Sequence, residues 1–86
     1  MVNIWELIGF LRSSNYRLKV LKSLSDKEHT PSEIEKNTGI KISHVSRTLK
    51  EITDKKLAEC LNPKLRKGKL YKITKLGKSL LNKIQP

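Results

Sequence analysis

Thr30-Pro31-Ser32-Glu33, followed by Gly39, constrains this chain more tightly than any other stretch. Thr30 is a good N-cap, Pro31 takes the first helical position where its missing N–H costs nothing, and Glu33 completes a capping box. Gly39 supplies the left-handed backbone that ends a helix, so this one runs for about two turns with Ile34 inward. From about Ile42 to Lys55 apolar residues return at Val45, Leu49 and Ile52, spaced four and three, which makes one buried stripe on a second helix. Two short helices across a glycine turn, the second with a polar outer face, describe a helix-turn-helix.

The flanking sequence supplies the remaining elements. Asn3 with Glu6 reads as a capping pair for a first helix over 3–12, with Ile4, Leu7, Ile8 and Leu11 on one face and Trp5 and Phe10 beside it. Gly9 sits inside that helix at a cost of about 1 kcal/mol relative to Ala, which marks either a close approach or a break. Ser13-Ser14-Asn15 offers a new N-cap, and Leu18, Val20, Leu21 and Leu24 turn inward on the helix that follows. Ser25 to His29 reads as a polar connection. Leu57–Leu61 and Lys69–Ile73 read as two strands around the turn residues Asn62-Pro63 and Arg66-Lys67-Gly68. Thr74 then caps a last helix carrying Leu76, Leu80, Leu81 and Ile84. The expected fold is mostly α with a small β-hairpin (α+β), in the order helix, helix, helix, helix, strand, strand, helix. It forms one domain over 1–86, with the first helix at 3–12, a helical core at 15–56, the hairpin at 57–73 and the last helix at 74–85. Two strands are not stable alone and must lie against the helices.

Charge narrows the partners. The 86 residues carry a net +11, and residues 58–86 hold eight basic residues against one acidic. A bias toward lysine, with 15 Lys against one Ala, accounts for some of the excess but not for its clustering. A single-sign patch of this kind suits nucleic acid or an anionic membrane surface. No apolar run approaches the roughly 20 residues that span a bilayer, and no secretory leader is present, so a cytoplasmic protein is expected. One Cys and two His are too few for a structural zinc site, so no metal or other cofactor is expected. The carboxylates are mostly lone, at capping or solvent positions, and no nucleophile-and-base pair or phosphate-cradling glycine loop appears, so no enzyme is expected. Cys60 is expected on the core side of the hairpin, and Leu65 has no evident role.

The stretches Arg17-Leu18-Lys19-Val20-Leu21, Thr30-Pro31-Ser32-Glu33-Ile34, Thr38-Gly39-Ile40, Val45-Ser46-Arg47-Thr48-Leu49-Lys50-Glu51-Ile52, Lys56-Leu57 and Tyr71-Lys72-Ile73-Thr74-Lys75-Leu76-Gly77 resemble the winged helix-turn-helix transcription regulators of the ArsR-like and MarR-like kind, of archaeal type. The resemblance covers roughly 15–84 and is specific for the fold more than for any one function. It implies that 41–50 is the start of a recognition helix, with Lys41, Ser43, His44, Ser46, Arg47 and Lys50 facing double-stranded DNA. It also implies that Lys64, Arg66, Lys67 and Lys69 around Gly68 form a basic wing on phosphates or the minor groove. The residue types suit those tasks: an arginine can contact a guanine edge in a bidentate manner, and basic loops hold phosphates. One departure is Lys41, which stands where such helices usually begin with Ser or Thr. Terminal helices form the dimer interface in such regulators, and the surplus apolar residues Ile4, Trp5, Ile8, Leu11, Leu81 and Ile84 are expected to join two copies. Two readings from other classes stand beside this one: a sequence-neutral architectural DNA-binding protein, and a winged-helix adaptor for protein assembly.

Overall fold

A computed structural model describes residues 3–84. Among them are five helices and one two-stranded antiparallel hairpin: α1 (Ile4–Arg12), α2 (Asn15–Ser23), α3 (Pro31–Thr38), α4 (Ile42–Asp54), β1 (Ala58–Cys60), β2 (Tyr71–Ile73) and α5 (Lys75–Ile84). The element order agrees with the sequence reading. Residue 85, placed in the last helix from the sequence, lies outside the described residues.

Local chemistry explains the boundaries. The Asn3 side chain accepts hydrogen bonds from the Trp5 and Glu6 N–H groups and starts α1. Both bonds of the capping box open α3: the Glu33 carboxylate accepts from the Thr30 N–H at 2.9 Å, and the Thr30 hydroxyl accepts from the Glu33 N–H at 3.3 Å. The first of these bonds holds the Glu33 carboxyl below the usual carboxylate range. Gly39, at φ 77°, closes α3. Lys56, at φ 65°, makes a left-handed turn out of α4 that the sequence did not announce, since lysine has no preference for that backbone.

The core lies where α2 packs on α1, α3 and α4, with the hairpin and α5 closing the remaining side. Leu11, Val20, Leu21, Ile34, Val45, Ile52, Leu57 and Leu80 are wholly enclosed. Leu18, Tyr71 and Leu76, expected inside, are half-buried against this core. Conversely, the expectation that Leu11 and Leu81 are surplus surface is corrected: both are buried, because α1 and α5 pack against each other and against α2. Leu7 joins them. Gly9 neither breaks α1 nor admits a neighbour, for nothing lies within 4 Å of the Cβ it lacks.

Arg17 ties three helices together. Its guanidinium spans both oxygens of Glu51 at 3.3 and 3.2 Å, donates to the Phe10 carbonyl and the Ser13 hydroxyl at 2.9 Å, and stacks 3.9 Å above the Phe10 ring. Hydrogen bonding from Arg17 is the main reason the Glu51 carboxyl sits below its ordinary pKa. Glu51 is therefore a paired structural carboxylate.

The hairpin differs from the sequence reading in two ways. Its strands are three residues long, in register Ala58↔Ile73, Glu59↔Lys72 and Cys60↔Tyr71. One further ladder bond joins the Leu61 N–H to the Leu70 carbonyl, and beyond it the Asn62 side chain takes over, accepting from the Leu70 N–H at 2.7 Å and donating to the Gly68 carbonyl at 3.3 Å. The loop is thus stapled rather than laddered. On its other edge β2 pairs with His29, whose N–H and carbonyl bond those of Tyr71 at 3.0 and 2.9 Å. His29 is only 5% exposed, so part of the supposed polar connection is buried and holds the wing base to the start of α3.

Candidate nucleic-acid interface

The helical repeat sorts the residues of α4. At about 100° per residue, Val45, Thr48, Leu49 and Ile52 face the core, and Ser43, Arg47 and Lys50 line up on the opposite, exposed face. Ser46 and His44 fall on the two flanks between. The sequence-derived set therefore divides into three groups rather than forming one face.

On the Ser46 flank, the loop after β1 comes back toward the helix-turn-helix. Ser46, Arg66, Lys67, Gly68 and Lys69 line one groove together with Thr30, Pro31, Ser32 and Tyr71. The start of α3 was not identified as part of this surface from the sequence, because only the fold brings it beside the wing. Lys64 is exposed on the same loop but does not line the groove, and Leu65 is 50% exposed. Cys60 is half-buried, with its Sγ 3.6 Å from the Asn62 side-chain oxygen.

On the other flank, His44 is half-buried and its ring meets that of Tyr16, with centroids 5.1 Å apart and planes inclined at 40°. His44 thus borders the exposed face of α4 with part of its ring against Tyr16.

The N-terminal end of α4 resolves the departure at Lys41. Lys41 occupies the N-cap position, is exposed and gives no side-chain cap. The cap comes from another helix: the Glu35 carboxylate of α3 accepts the Ile42 N–H at 2.9 Å. A carboxylate at a helix N-terminus is favourably placed with respect to the helix dipole, and here it also fixes α4 against α3. No local sequence pattern signals a cap donated from seven residues upstream.

A second surface lies away from the wing. Ile4, Trp5, Ile8 and Ile84 line a groove between α1 and α5, edged by Arg12 and Lys83. Trp5 is 80% exposed. Of the residues expected to join two copies, these four are accessible, whereas Leu11 and Leu81 belong to the core.

Among the described residues, no group of three or more His, Cys, Asp or Glu side chains is arranged to hold a metal ion. No helix among them is long and apolar enough to cross a membrane.

Comparison with known proteins places this geometry. A family model described as the HVO_A0261 N-terminal domain matches residues 5–86. Among solved structures, the chain is similar to NMB1585, a MarR family regulator from Neisseria meningitidis, with TM-score 0.74 and 21% identity over 92% of this chain and 57% of that one. It is similar to a mutant MarR from E. coli complexed with operator DNA, with TM-score 0.72 and 27% identity over 93% of this chain and 59% of that one. Wild-type apo MarR from E. coli matches with TM-score 0.71 and 22% identity, over 96% and 74% of the two chains. The chain thus spans less than two thirds of the length of the first two regulators. No curated protein sequence matches significantly. The fold is the winged helix-turn-helix of the MarR regulators.

Proposed function

The chain belongs to the HVO_A0261 N-terminal domain family, and from that premise we propose that it binds double-stranded DNA as a homodimeric transcription regulator. The observation that carries this reading is that the exposed α4 face, Ser43, Arg47 and Lys50, is flanked by Ser46, which lines one groove with Arg66, Lys67 and Lys69 of the wing. In a helix-turn-helix the second helix enters the major groove by its N-terminal part. Arg47 then reaches a base edge or phosphate, and the wing cations hold the phosphates or minor groove beside it. The operator complex of the E. coli MarR mutant supports the same assignment.

Selection from a random DNA pool at two salt concentrations tests the reading. Enrichment of a sequence supports a regulator. Binding without enrichment favours a sequence-neutral architectural protein, and no binding favours an assembly adaptor. With an enriched duplex in hand, Arg47→Ala is expected to weaken specific binding by about 1–3 kcal/mol with helicity unchanged by circular dichroism. Unaltered affinity would remove Arg47 from the contact surface.

The groove at Ile4, Trp5, Ile8 and Ile84 is the surface proposed to join two copies. An exposed tryptophan amid other apolar side chains usually marks an interface. A two-fold pair would set two recognition helices about one DNA turn apart, roughly 34 Å, on a palindromic or near-palindromic site. Sedimentation equilibrium at micromolar concentration should give twice the 9.9 kDa chain mass, and Trp5→Ala should return it to the monomer. A wild-type monomer would leave DNA binding without the dimer.

A further inference from the structure

Tyr16 lies in the first turn of α2, outside both helices of the helix-turn-helix, yet its ring makes a tilted contact with that of His44 in the first turn of α4. It keeps 42% of its surface exposed in doing so. The helical repeat places His44 on the flank of α4 opposite Ser46. The Ser46 flank carries the cationic wing groove. The exposed face of α4 is therefore bordered by Arg66, Lys67 and Lys69 on one side and by an aromatic pair on the other.

A helix in the major groove runs between two sugar-phosphate backbones about 12 Å apart. The wing supplies cations for one side. On the other, a half-exposed phenol next to the helix entry is of a residue type that donates to backbone phosphates. Resting on the DNA-binding reading above, we propose that Tyr16 is a contact residue of the same surface. Its hydroxyl donates a hydrogen bond to a phosphate on the backbone away from the wing, and its ring holds the His44 imidazole in one orientation toward the base edges. Tyr16 is thus a phosphate contact itself and a positioning residue for His44.

The chemistry gives this contact a signature that lysine and arginine contacts lack. Neutralising a phosphate with a cation releases counterions and steepens the salt dependence, whereas a neutral phenol adds affinity without changing the slope. Tyr16→Phe keeps the ring and its contact with His44 and removes only the donor. Binding should be measured with a duplex enriched from the random pool and with a random-sequence duplex of equal length, over a series of salt concentrations. Tyr16→Phe should bind both duplexes about tenfold more weakly, with the slope and the melting temperature of the wild type. Tyr16→Ala, which also frees His44, should in addition narrow the preference for the enriched duplex. Wild-type affinity in Tyr16→Phe would overturn the phosphate contact and leave the DNA-binding reading standing. Equal sequence preference in Tyr16→Ala and Tyr16→Phe would overturn the positioning role. A pool selection that retains no DNA on the wild-type protein would overturn the DNA-binding reading, and this inference with it.

Discussion

Replacing Gly77 with alanine is expected to lower stability by about 3 kcal/mol, a large share of what a domain of this size possesses. Gly77 is buried in the first turn of α5, and a Cβ there would collide with the Leu57 carbonyl oxygen and come within 2.8 Å of the Ile73 side chain. The first obstacle is backbone, immediately before β1, and it is already fixed by the Thr74 N–H, which donates to the same carbonyl at 3.0 Å. Thr74 also holds the start of α5, its hydroxyl donating to the Lys56 carbonyl at 2.7 Å and accepting from the Gly77 N–H at 3.1 Å. Relief would require α5 to move off the hairpin. The sign is diagnostic, because alanine in an open helical position stabilises by up to about 1 kcal/mol. Gly9 provides that control: nothing approaches its missing Cβ, so Gly9→Ala should raise the melting temperature while Gly77→Ala lowers it by more than about 12 °C. Thermal unfolding followed by circular dichroism reads both. Equal behaviour of the two variants would show that α5 does not press on Leu57 in solution.

Removing the wing charges should have an effect of similar size on binding. Lys64, Arg66 and Lys67 are exposed, so their joint replacement by alanine should leave folding intact. Each phosphate contact contributes about 0.9 to the slope of log affinity against log salt. Losing three such contacts should flatten that slope by roughly 3 and weaken binding at about 0.1 M salt by on the order of a hundredfold, alike for every DNA sequence. A smaller change, about 2, would mean that one of the three makes no phosphate contact, and Lys64 is the one outside the groove shared by Arg66 and Lys67. A triple variant with the wild-type slope would take the wing off the phosphates altogether.

Much of the architecture was legible because its signals are local. The capping box at Thr30 and Glu33, the left-handed Gly39 and the stripe Val45, Leu49, Ile52 each depend on residues within a few positions of one another. Amphipathic spacing likewise placed Arg47 and Lys50 off the core, since a buried stripe defines its own exposed opposite. The clustering of charge after residue 57 needed no structure to see.

What the chain alone could not disclose depends on distances between elements far apart in sequence. Leu11 and Leu81 look identical to Ile4 and Ile84 in a helical pattern. Which of them is enclosed depends on how α1 and α5 meet over α2, because the hydrophobic effect is non-directional and does not choose between apolar residues on one helical stripe. His29 has no periodicity to reveal a single bridge to Tyr71. Glu35 caps a helix it does not belong to, Arg17 finds Glu51 across 34 residues, and Tyr16 of α2 meets His44 of α4. Local hydrogen-bonding and periodicity thus set the elements and their inward faces. The contacts that build the interface flanks come only from packing, because side chains distant along the chain meet only once the shared core has fixed the helices against one another.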